Sequence, residues 1–205
     1  MPAEIQDVAP GLWIWRLARP GWRPELDWPE VVTCTCVESG GEVAVLDALA
    51  PPEGSEVWER LDAKPPTMAV VLKPDHVRDV DLFVGRYGAR AFGPWLFFSG
   101  DAPQTKLEEI EPEMQLPGGL VTLFDARWRN ETPLWLPAQK TLVFADAMTA
   151  PEGELRIWNT RQLDRARRVL REYLELPFEH VIVAHGEPVH DRAAFERALE
   201  LEPYG

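Results

Sequence analysis

Four short apolar runs in this chain each stop at a polar residue. EVAVL ends on Asp47, MAVVL gives way to a dense polar stretch from Lys73 to Asp79, TLVFA ends on Asp146, and HVIVA ends on His185. Runs of this length, rich in valine and leucine with no polar alternation, read as strands buried on both faces. A strand buried on both faces needs a layer above it and a layer below it. The architecture this predicts is an α/β (α+β) fold with a two-sheet core and helices on the outside.

The intervening segments support the reading. GLWIWRLA (11–18) and VVTCTCVES (31–39) are strand-like, separated by the Pro/Trp loop RPGWRPELDWPE. Ser55 stands as an N-cap before EVWERLDAK. VRDVDLFVGRYG has helical spacing and stops at Gly88. After a long acidic loop, GLVTLFDARW returns to strand. PLWLPAQKTLVFADAM then reads as a hairpin turning at Pro137-Ala138-Gln139. RQLDRARRVLREYLEL is an amphipathic helix capped by Asn159 or Thr160, and DRAAFERALEL closes the chain as another. With no repeat, low-complexity tract or linker, residues 1–205 are expected to form a single domain.

Charge narrows the function. Lys and Arg number 21 against 34 Asp and Glu, a net charge of −13. A polyanion partner needs a basic surface, so neither nucleic acid nor an anionic membrane is expected. No segment approaches the ~20 apolar residues of a membrane span, and the start MPAEIQDVAPG lacks the features of a secretory signal. Cys34 and Cys36, the two cysteines, share one face of a strand. That is poor geometry for a mutual disulfide and too few ligands for zinc, so they read as small core residues. A cytoplasmic protein fits these features.

The order of landmarks resembles the metallo-β-lactamase superfamily over nearly the whole chain. GLWIW and CTCVESGGEVAVLDAL resemble its opening strands. AVVLKPDHVRD falls where that family carries an H-x-H-x-D-H ligand loop. LWLPAQKTLVFADAM resembles its hairpin into a metal-bridging aspartate, here Asp146, and VIVAHGEPV its late strand ending on a histidine ligand, here His185. The resemblance implies a four-layer αββα sandwich and a metal centre at the strand ends.

Matched residue by residue, the ligand loop is degenerate. Pro74 stands for the first histidine, His76 for the second, Arg78 for the aspartate and Asp79 for the third histidine. The mid-chain histidine expected near RWRNETP is missing, since the chain's four histidines are His76, His180, His185 and His190. Two metals therefore cannot be held. At most one divalent ion (zinc, manganese or iron) is expected, on Asp79, Asp146 and His185, with His76 as a further ligand or as a base. Arg78 is expected to occupy the cation position, paired with Asp146 or Asp79. Asp47 is expected to tie down a loop, and His180 and His190 to lie on the surface without ligand company.

Two functions follow. One is a non-catalytic member of the fold that binds a small anion or a protein partner through Arg78, with Trp22 and Trp28 lining a groove; the lost ligands favour it. The alternative is a single-metal hydrolase of an ester, thioester or lactone, with Asp146 at the metal and His76 moving the proton.

Overall fold

The computed structural model describes residues 3–26, 28–97, 100, 102–124, 126 and 130–205. Its first sheet runs in chain order: β1 (Glu4–Ala9), β2 (Leu12–Ala18), β3 (Val31–Ser39), β4 (Glu42–Leu46), β5 (Met68–Val70), β6 (Arg90–Gly93) and β7 (Glu108–Glu109). β1 to β4 form an antiparallel meander, and β4 to β7 continue in parallel. The parallel pairs require crossovers. α1 (Glu56–Ala63) provides the one between β4 and β5, and α2 (Val80–Tyr87) the one between β5 and β6.

The second sheet is built from β8 (Val121–Thr122), β9 (Leu134–Leu136), β10 (Thr141–Phe144) and, beyond a short ribbon of β11 (Met148–Thr149) and β12 (Arg156–Ile157), β13 (His180–Val183). β9 and β10 form the expected hairpin, and β13 lies parallel to β10. The strand expected over 119–128 is shorter, ending at Thr122; residues 125 and 127–129 of that stretch lie outside the described ones. α3 (Leu163–Glu172) and α4 (Arg192–Ala198) complete the chain.

Three apolar layers explain why the central strands carry no polar alternation. Ala44 and Leu46 of β4, Met68 and Val70 of β5, and Val143 and Ile182 of the second sheet pack between the two sheets. Val43 and Val45 point the other way, into a layer with Trp15, Cys34, Val57 and Leu61 of α1 and Phe83 of α2. Leu142 and Phe144 of β10 meet Val169 and Leu170 of α3 and Phe195 of α4. The order of layers is α, β, β, α.

Local signals fix the helix ends. The Ser55 hydroxyl accepts from the Val57 N–H at 3.3 Å, and Gly88, at φ 67°, closes α2 in the left-handed conformation that a Cβ disfavours. The N-cap of α3 falls later than expected, at Gln162, with Thr160 Oγ1 accepting from the Gln162 N–H at 3.2 Å. Both cysteines are free and buried. None of the described helices is long and apolar enough to cross a membrane.

Candidate functional site

The four strand ends do converge. Asp47 follows β4, Lys73 to His76 follow β5, Asp146 follows β10 and His185 follows β13. Asp47 Oδ1 accepts the Leu72 N–H at 2.8 Å, which ties the loop after β5 to the end of β4. Its other oxygen, Oδ2, lies 2.8 Å from His76 Nδ1. Asp47 thus does more than hold a loop. A carboxylate at Nδ1 fixes the proton there and leaves Nε2 as a lone-pair donor, the arrangement in which histidine binds metal.

His76 Nε2 faces Asp146 Oδ1 at 3.4 Å, and His185 Nε2 faces the same oxygen at 3.6 Å. All three side chains are buried, and their donor atoms lie within 4.8 Å of one another. Asp146 Oδ1 has no hydrogen-bond partner among the described residues, and neither does His185 Nδ1. Unpaired buried oxygens are costly and uncommon. The donors converge on a shared point and do not bond pairwise. For a tetrahedral ion with bonds near 2.0–2.1 Å, neighbouring ligand atoms sit about 3.4 Å apart, and the two distances from Asp146 Oδ1 to the imidazoles are close to that.

The electrostatics agree. Burial drives His185 down to about 3, with further pressure from the charges of His76, Arg78 and Arg19 outweighing the attraction of Asp146. The imidazole is therefore neutral, as a ligand must be. Burial alone would raise Asp146, but His76 and the Lys73 ammonium beside it hold it far below the usual carboxylate range. It is ionised at any physiological pH.

Two residues in this site were missed as participants. Lys73, buried at the end of the β5 run, places Nζ 3.0 Å from Asp146 Oδ2 and also pairs with Asp75. Burial would lower its pKa, yet Asp146 and Asp75 raise it, so it stays an ammonium. Its signal in the sequence was a lysine directly following an apolar strand. Glu131, buried in the stretch where a histidine is expected, accepts the N–H groups of Ala145 (3.2 Å), Asp146 (2.5 Å) and Ala147 (2.7 Å). It shapes the turn that presents Asp146. Burial and the Asp146 charge push it up to about 8, against the pull of the backbone donors.

Arg78 corrects an expectation. It pairs with neither Asp146 nor Asp79. Its Nη1 donates to the carbonyls of Thr33 (3.1 Å) and Asp47 and approaches Cys34 Sγ at 3.7 Å. The physical reason is reach: a left-handed backbone at Arg78 (φ 44°) turns the side chain toward the β3–β4 strand ends, and Asp47, whose carbonyl it holds, is left-handed too (φ 46°). The cation beside Asp146 is Lys73. Asp79 is not brought to the cluster, since its Oδ2 accepts the Ala50 N–H at 2.7 Å at the start of α2.

Aromatic walls enclose His185. The rings of Trp28 and Trp158 lie 5.5 and 5.3 Å from it, and Trp22 stands behind Trp28 at 6.5 Å with its indole N–H on the Trp28 carbonyl. Gly186, next to His185, admits no side chain: a Cβ there would lie 2.3 Å from the Ala150 carbonyl oxygen. Outside the site, His180 and His190 are not solitary, with Nδ1 atoms 3.0 Å apart.

No family model and no curated protein sequence matches the chain. Solved structures do. A metallo-β-lactamase from Erythrobacter litoralis, with β-mercaptoethanol in its active site, is similar with a TM-score of 0.73 at 16% identity, over 98% of this chain and 96% of that one. The chain has the metallo-β-lactamase fold. FIM-1 from Pseudomonas aeruginosa, in its mono-zinc form, gives 0.70 at 16% identity over 98% of this chain and 95% of its own. A metallo-β-lactamase from Pontibacter korlensis gives 0.68 at 18% identity over 97% and 98%. At these identities the metallo-β-lactamase fold is what is shared, and the function must be argued from the site.

Proposed function

We propose that the chain binds one divalent metal through His76, Asp146 and His185 and uses it to hydrolyse a small carbonyl substrate. The observation that carries this reading is the buried Asp146 Oδ1, unpaired and facing two imidazole Nε2 atoms at 3.4 and 3.6 Å. Three protein ligands, with the fourth position taken by water or substrate, is the composition of a catalytic zinc site. The mono-zinc form of FIM-1 makes single occupancy compatible with the fold. A metal held there would supply Lewis-acid activation of water and of a carbonyl.

The protein's own residues divide the remaining work. Asp47 orients His76, and Glu131 orients the turn carrying Asp146. Lys73, kept charged, sets a fixed positive charge beside the reacting group, where it favours a developing oxyanion. Trp28 and Trp158 exclude water from one side of His185.

A second reading rests on the 3.0 Å Lys73–Asp146 pair. There the ammonium supplies the compensating charge, and the site is a metal-free binding pocket.

The test is zinc and manganese titration by calorimetry, with elemental analysis and an ester, thioester and lactone hydrolysis panel. One ion per chain, lost in His185→Ala and Asp146→Ala along with metal-dependent turnover, is the expected result. A wild type that binds no metal, beside a Lys73→Met variant that does, would overturn it in favour of the pocket.

A further inference from the structure

After β6 the chain runs GPWLF (93–97). β6 closes on Gly93, where a Cβ would lie 2.6 Å from Leu107 Cδ1, and Pro94 has no N–H to give a sheet ladder. The chain leaves the sheet here. Trp95 and Leu96 emerge as the two most exposed large apolar residues among the described ones, at 70% and 56%. A single exposed apolar residue needs no explanation. These two, however, line the same cavity of about 510 Å³. Small-molecule sites span roughly 300–1,000 Å³. With Trp95, Leu96, Glu109 and Glu111 all exposed, the cavity is open to solvent.

Its polar groups are unanswered. Glu108 is paired with Arg90 at 2.8 Å, but Glu109 and Glu111, which line the cavity on either side of the buried Ile110, form no ion pair among the described residues. No lysine or arginine among the described residues lines the cavity; Lys106 lines a neighbouring hollow. Thr132 also lines the cavity, at 8% exposure, and its hydroxyl makes no hydrogen bond among the described residues. A hydroxyl so nearly buried normally has a partner. We infer that this cavity is a binding site for a small organic ammonium ion with an apolar body, of the arylalkylamine class.

The class follows from the chemistry of the walls. An ionised carboxylate only accepts hydrogen bonds, and a threonine hydroxyl accepts as readily as it donates. An ammonium is the matching group, with donors alone and one positive charge. The face of an indole attracts the same charge, and Trp95 presents its ring to solvent with little else covering it. Pro74 and Leu96 add the apolar surface that a ring or alkyl body covers. An anion would meet two carboxylates and no cation. The inference does not depend on the metal reading, because none of His76, Asp146 and His185 lines the cavity.

The experiment is a titration of ¹⁵N-labelled full-length protein in EDTA, which separates it from metal binding. Benzylamine, benzyl alcohol and benzoate share a ring and differ in charge; they are compared with ammonium chloride at neutral pH and constant ionic strength. The readout is the Trp95 indole N–H signal, assigned by its loss in Trp95→Phe. Benzylamine should move that signal saturably, with an affinity at least about tenfold above that of benzyl alcohol or benzoate. Glu109 and Glu111 are exposed, so the double variant Glu109→Gln/Glu111→Gln should keep the fold, bind benzyl alcohol as before and lose the preference for the amine. No saturable shift, benzoate or benzyl alcohol binding as tightly as benzylamine, the same shift with ammonium chloride (charge screening only), or an unchanged preference in the double variant would each overturn the inference.

Discussion

Replacing Lys73 with methionine keeps most of the side chain's bulk and removes its charge, leaving Asp146 buried without its ammonium. The magnitude can be worked from the contact. At 3.0 Å, unit charges in an effective dielectric of about 20 attract by about 5–6 kcal/mol. Both side chains are nearly buried, at 10% and 12% exposure, so solvent screens little of this, though desolvation has already cost the pair part of it. Breaking a buried pair from one side typically costs about 3–5 kcal/mol. For a chain of this length that lowers the melting temperature by roughly 6–20 °C. The assay is thermal melting of wild type and Lys73→Met in EDTA, repeated with zinc. Zinc should return much of the loss, since an ion at about 100 times its Kd contributes about 2.7 kcal/mol. Zinc should also bind the variant more tightly, because Asp146 no longer shares its charge. A variant that melts with wild type in EDTA and binds zinc no better would refute the pairing as the support of the site.

Three further outcomes are expected. Asp47→Asn should weaken zinc binding by about 10–100-fold through loss of His76 orientation, read by calorimetry beside circular dichroism to confirm folding. Cys34 should resist thiol reagents in the folded protein, since burial raises it to about 11, and Cys36 is pushed higher still; both should react fully in urea, and rapid native labelling would contradict the packing. Glu131 titrates near 8 when folded against 4.5 when exposed, so between these values the folded state holds a proton that the unfolded state releases. Stability should therefore fall as pH rises through that window, and urea melts of Glu131→Gln should lose that slope.

Much of the fold was legible because burial on both faces leaves an unmistakable trace. Runs such as EVAVL and HVIVA have no polar alternation, and their polar ends named Asp47, Asp146 and His185 in advance. The site was less legible where partnership depends on backbone conformation. Nothing in the composition of KPDHVRD announces that Arg78 adopts a positive φ and swings to the Thr33 and Asp47 carbonyls, or that Lys73 takes the place beside Asp146. Glu131 escaped notice for a different reason. Its stretch stands where a histidine ligand is expected, whereas its carboxyl group answers three main-chain donors, a role that no spacing in sequence reveals. Asp79 looked like a ligand by position and is used to anchor Ala50.

The two sheets come from successive halves of the chain, the first from strands ending at Glu109 and the second from strands beginning at Val121. Asp47 and His76 belong to the first half, Asp146 and His185 to the second, and the Thr132 N–H on the Leu72 carbonyl at 2.9 Å stitches the halves beside them. The centre is therefore a seam of long loop closure, completed only when both halves have docked. In refolding, metal uptake should lag behind strand formation. In the native protein, the seam should be where transient parting of the halves first releases a bound ion.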